Sequence, residues 1–92
     1  MIEKLQKRYL SSFNEKIVNI ESALKVNDFE RLSTLIHQLS GSSGSYGFNE
    51  IHTHSSDIEK LLLLPAPDVI DLDTKIQKLI AIMRRTSISV PV

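Results

Sequence analysis

Apolar side chains recur at steps of three and four along almost the whole chain. From Ile2 to Val26 the set Leu5, Tyr9, Phe13, Ile17, Ile20 and Leu24 forms one stripe, which predicts a single long amphipathic helix. "VNDFE" interrupts it, with Asn27 as a stop and Asp28 as the N-cap of a new helix. Phe29, Leu32, Ile36 and Leu39 then lead, after a gap, to Tyr46; beyond Gly47 the period resumes with Ile51, Ser55, Ile58 and Leu62. "PAPD" is a clear break. Leu72, Ile76, Leu79, Ile80 and Met83 mark a last helix with basic residues near its end. No segment reads as a strand of any weight. Four amphipathic helices with short connections predict an all-α fold, an antiparallel up-down-up-down four-helix bundle. Residues 1–86 are read as one domain, and residues 87–92 as a tail or the start of a linker.

The gap in the third stripe holds the most unusual stretch, "LIHQLSGSSGSYGF", which contains all three glycines of the chain. Glycine and serine are poor helix formers, so a loop is one reading. The period favours another, a helix as far as Tyr46 with Gly47 as a left-handed cap. At about 100° per residue, Ile36, Leu39, Ser43 and Tyr46 share the buried face, and His37 lies roughly 130° away, pointing outward. Ser33, Ser40, Gly41 and Gly44 fall beside it on the same wheel. Each glycine costs on the order of 1 kcal/mol relative to alanine. Close approach by another backbone or protein is a physical reason to tolerate that. Ser43, on the buried side, lets a neighbouring helix pack close and can bond to the carbonyl four residues back.

Bulk properties narrow the functions available. Ninety-two residues with 41% apolar and 24% charged side chains suit one small globular domain. Eleven basic and eleven acidic residues give a formal net charge of zero, which offers little support for nucleic-acid binding or a polybasic membrane anchor. There is no cysteine, hence no disulfide and no thiolate chemistry. The N-terminus has no signal-peptide apolar core, and "LLLLPA" is far below a membrane span. The expectation is a cytoplasmic domain, either alone or cut from a longer chain. An exposed imidazole is largely neutral at pH 7 and a competent nucleophile. Local spacing supplies neither the orienting carboxylate nor the oxyanion site that hydrolysis needs. Carrying a group suits such a chain better than transforming a substrate.

His37, Leu39, Gly41, Ser42, Ser43 and Gly47, taken in order, resemble the signature of the histidine-containing phosphotransfer (HPt) domain family. Gly44, Tyr46 and Phe48 are similar to versions of that motif, and the resemblance runs roughly from Tyr9 to Met83. It implies that His37 accepts a phosphoryl group from the aspartyl phosphate of a receiver domain and passes it to another receiver in a two-component phosphorelay. The implied partners are receiver domains of response regulators or hybrid histidine kinases, and a monomer is expected. The resemblance implies no cofactor and no metal on this chain, because the magnesium belongs to the receiver. It also implies no ATP-dependent kinase activity, for nothing like a phosphate-cradling loop is present. Gly41 and Gly44 would leave room for the receiver, with Gln38, Ser40 and Glu59 as candidate surroundings of the phosphohistidine. Ser40 departs from the family, which commonly has lysine there; a hydroxyl offers a hydrogen bond but no charge. Glu59 corresponds to a polar position that bonds the histidine in some members, and reads equally well as an exposed helix charge.

That departure at Ser40 sustains an alternative, a helical interaction module that docks on a receiver or kinase without being phosphorylated. A plain oligomerisation bundle is the third reading. His52 and His54 point about 200° apart on the next helix and cannot share a metal within it; both read as polar helix surface, His54 partly packed. Tyr9 and Tyr46 read as core or core-edge residues. Leu61 to Leu64 are wider than one stripe and read as core at a helix end rather than as an exposed patch.

Overall fold

Ser11 and Ser12 divide the first expected helix in two. Their hydroxyls donate to the carbonyls of Arg8 at 2.7 Å and Tyr9 at 2.6 Å, competing with the backbone for those acceptors. The computed structural model, which describes residues 2–89 and side chains over 7–87, therefore has five helices among its described residues. They are α1 (Ile2–Ser11), α2 (Phe13–Lys25), α3 (Phe29–Ser45), α4 (Asn49–Leu62) and α5 (Val69–Ser89). The break is local: the Ser12 N–H bonds to the Tyr9 carbonyl, and Lys16 N–H already returns to the Ser12 carbonyl. Leu5, in the first apolar stripe, lies outside the residues whose side chains are described. Residues 87–89 of the stretch read from sequence as a tail or linker start continue α5 as far as Ser89, and residues 90–92 lie outside the described range.

The remaining boundaries follow turn chemistry. Asn27 takes a left-handed φ of 56°, and the Asp28 carboxylate accepts from the Arg31 N–H as the N-cap of α3. Gly47 takes φ 82°. Around it Phe48 N–H returns to the Ser43 carbonyl and Gly47 N–H to the Gly44 carbonyl, the paired bonds of a left-handed helix end. Gly47→Ala forces a side chain into that conformation. It is expected to lower unfolding free energy by about 1 kcal/mol, measured by urea titration. A variant as stable as the parent would refute the strain.

Each helix buries one stripe. Phe13, Ile20, Leu32, Ile36, Ile58 and Ile76 are at most 1% exposed, and similar residues from all five helices join them in one cluster. α3 packs most extensively on α4, and the bundle closes through α4 on α5 and α2 on both α3 and α5. Two serines sit fully buried where α3 meets α4. Ser55 donates to the Ile51 carbonyl at 2.7 Å. Ser43 bonds the Ser40 carbonyl three residues back rather than the one four back. Leu61 and Leu62 pack against the core, but Leu63 and Leu64 lie past the end of α4 and are exposed, so only half of "LLLL" is core. No helix among the described residues is long and apolar enough to cross a membrane.

Tyr9 joins α1 to α3. It stacks on Tyr46 with centroids 4.5 Å apart, and its hydroxyl lies 2.6 Å from that of Ser42. Burial pushes the Tyr9 phenol above its ordinary value; the Ser42 hydrogen bond pulls the other way, and Tyr46 adds to the rise. The folded chain thus holds this proton more tightly than the unfolded chain. Its contribution is intact below about pH 10 and is lost as pH rises through the folded value. Tyr9→Phe should therefore lose less stability than wild type as pH rises above about 10. Thermal melts across that range check it, and equal slopes would refute it.

Candidate functional site

α3 and α4 run in opposite directions, and their facing surfaces carry matched polar stripes. His37, Ser40 and Gly44 on α3 meet Glu59, Ser56 and His52 on α4. The α4 residues recur at the four- and three-residue steps of one helix face. Each step toward the end of α3 is answered by a step back along α4.

His37 stands at one end of this seam with 76% of its side chain exposed, while the Glu59 side chain is 28% exposed. Nδ1 of His37 hydrogen-bonds Oε2 of Glu59. An ionised carboxylate only accepts, so Nδ1 is the donor, and in the neutral ring Nε2 carries the lone pair. Nε2 meets no partner among the described residues. This is an imidazole oriented by a carboxylate, the arrangement that activates a ring nitrogen and supports the positive charge developing on the ring as it attacks. Of the two sequence-level readings of Glu59, the neighbour of the histidine is the one observed.

Gly41 and Gly44 turn out to serve different surroundings. A side chain built on Gly41 would meet nothing within 4 Å; one turn along from His37, the surface of α3 is open. A Cβ on Gly44 would lie 3.0 Å from Nδ1 of His52. The bareness of Gly44 therefore seats His52, although the sequence places it as clearance for a partner.

Ser40 corrects the helical-wheel expectation. Instead of standing on the open face, it is 6% exposed and turned toward α4, with its hydroxyl 2.8 Å from that of Ser56. The two sides of His37 look equivalent on a wheel, but α4 covers one of them. The Ser40 hydroxyl is engaged within the bundle. Gln38 points to the other side, where it lines a groove of about 460 Å³ between α2 and α3 together with Tyr9, Ser12, Lys16 and Ser42. The structure thus joins Glu59 to His37 and leaves Gly41 open beside it, while Ser40 and Gly44 face α4 farther along the seam and Gln38 lines the groove on the other side.

Ser56 and His52 escaped the sequence reading as members of the seam. The available signal was their spacing from Glu59, which places all three on one face of α4. Among the described residues no group of three His, Cys, Asp or Glu side chains could hold a metal ion.

No curated protein and no solved structure matches the chain. The Hpt domain family matches residues 4–86, nearly the whole of the chain. That match spans all the helices that build the seam and includes His37, the imidazole it exposes. The chain belongs to the Hpt domain family, helical bundles that serve phosphotransfer in two-component signalling.

Proposed function

We propose that His37 is the phosphoryl acceptor of this chain. It takes the group from the aspartyl phosphate of a receiver domain and relays it to a second receiver. The observation that carries this reading is the exposed imidazole whose Nδ1 is held by Glu59. Nε2 attacks phosphorus in line with the departing aspartate oxygen. The N–P bond forms, the acyl-phosphate P–O bond breaks, and the carboxylate leaves with the bonding pair. Glu59 keeps the Nδ1 proton and offsets the ring charge. In the return step a carboxylate of the second receiver attacks, and the imidazole leaves.

The open surface at Gly41 is where the receiver comes close, in this reading. The partners are receiver domains of response regulators or hybrid kinases, and the magnesium that neutralises phosphate is theirs. The chain acts as a carrier without ATP-dependent kinase activity, as a monomer in the cytoplasm. We read α2 to α5 as the four members of an up-down-up-down bundle, with α1 as the offset first part of the leading helix. Incubation with a phosphorylated receiver should leave acid-labile, base-stable phosphate on the protein. Receiver binding without any such phosphate would favour the docking module instead.

A further inference from the structure

Two features of His37, an exposed ring and an Nδ1 held by an oxygen acceptor, recur at His52, where the acceptor is a backbone carbonyl rather than a carboxylate. His52 is exposed on α4, and its Nδ1 lies 2.7 Å from the Ser40 carbonyl oxygen. A backbone carbonyl can only accept, so Nδ1 carries the ring proton. In the neutral ring Nε2 carries the lone pair, and it meets no partner among the described residues. The sequence makes room for this ring: the one side chain that would displace it is missing, because residue 44 is glycine. His54, two residues on, provides an internal contrast. It is half-buried, and no hydrogen bond fixes its tautomer among the described residues.

The two presentations differ in depth. His37 stands clear beside open space at Gly41, whereas Nδ1 and Cε1 of His52 lie 3.0 and 3.3 Å from the Cβ position of Gly44. The His52 ring therefore rests against α3 with its far edge outward. A small donor needs only that edge.

We infer that His52 is a second phosphoryl acceptor, one that reacts with small donors of high transfer potential such as phosphoramidate. Its Nε2 attacks phosphorus, the N–P bond to the ring forms and the P–N bond of the donor breaks. The donor nitrogen, already protonated at neutral pH, leaves as ammonia with the P–N bonding pair, and the ring Nδ1–H goes on donating to the Ser40 carbonyl until solvent takes its proton. This inference extends the acceptor chemistry read at His37, but its test needs no receiver. Failure of receiver transfer at His37 and failure here are thus separate results.

The test treats the full chain and three variants with phosphoramidate at neutral pH and follows acid-labile phosphate over time. His37→Gln should retain uptake at a rate within about tenfold of the parent, since one exposed imidazole with its Nδ1 held remains. His37→Gln/His52→Gln should fall at least about tenfold below His37→Gln, and His37→Gln/His54→Gln should match it. Equal losses in the two double variants, or no uptake by His37→Gln, would overturn the inference. Fragmentation of the labelled wild-type chain tests the same point without substitution: phosphate on His52 well above that on His54 supports it, and equal labelling overturns it.

Discussion

His37→Gln takes up phosphate from a phosphorylated receiver at least about 100-fold more slowly than wild type, because the loss of an activated nucleophile is not made good by its neighbours. Glutamine fills similar space, but its amide nitrogen has no available lone pair. His52 does not replace His37 here: its ring lies against α3, and the receiver's phosphoaspartate is carried on a bulky domain. The fold should be untouched. His37 is 76% exposed, and a surface pair such as His37 with Glu59 contributes no more than about 1 kcal/mol. Circular dichroism melts of the two proteins should therefore nearly coincide. The decisive measurement is acid-labile, base-stable phosphate after timed mixing with the labelled receiver. Acceptance at the wild-type rate would sink the reading, because no other role of His37 in the relay would survive it.

The core of this protein is legible in its sequence because burial follows a period that needs no tertiary knowledge. Ile17, Ile20, Leu32, Ile36, Leu39, Ile58, Leu72 and Ile76 are all buried, as their three- and four-residue steps require. Asn27, Asp28 and Gly47 mark boundaries through local chemistry, and those boundaries stand. The break between α1 and α2 was invisible to the same logic. Phe13 and Tyr9 keep the apolar stripe in phase across it, while the Ser11 and Ser12 hydroxyls act on backbone carbonyls that the stripe does not report. The seam was legible only in part. A wheel places Ser40 and Gly41 on either side of His37 but cannot say which side a second helix will cover. That choice belongs to the packing of α3 on α4, and it decides that Ser40 meets Ser56 while Gly41 stays bare. The pairing of Glu59 with His37 needs a register across 22 positions. The helical period alone does not supply it; the resemblance to other members of the family made Glu59 a candidate.

Gly41→Leu separates docking from stability. The Cβ at this position enters open space, and leucine is favoured over glycine inside a helix by up to about 1 kcal/mol. The variant should therefore unfold at the same urea concentration as wild type or a higher one. Its new side chain nevertheless occupies the surface one turn from His37. Phosphoryl transfer from a receiver should fall at least about tenfold, since a misplacement of the reacting atoms by one ångström costs more than that. A small donor such as phosphoramidate should still label His37 at close to the wild-type rate, because Nε2 itself stays accessible. Gly44→Leu should not share that gain in stability. Its Cβ lies 3.0 Å from Nδ1 of His52, so His52 must swing out and release the Ser40 carbonyl. That loss, about 1 kcal/mol for a hydrogen bond, offsets the helix-propensity gain that Gly41→Leu keeps. A stable Gly41→Leu protein that still accepts phosphate from the receiver at the wild-type rate would overturn the role of the bare surface. The two glycines would then be alike in function, and their different surroundings would concern only how α3 and α4 pack.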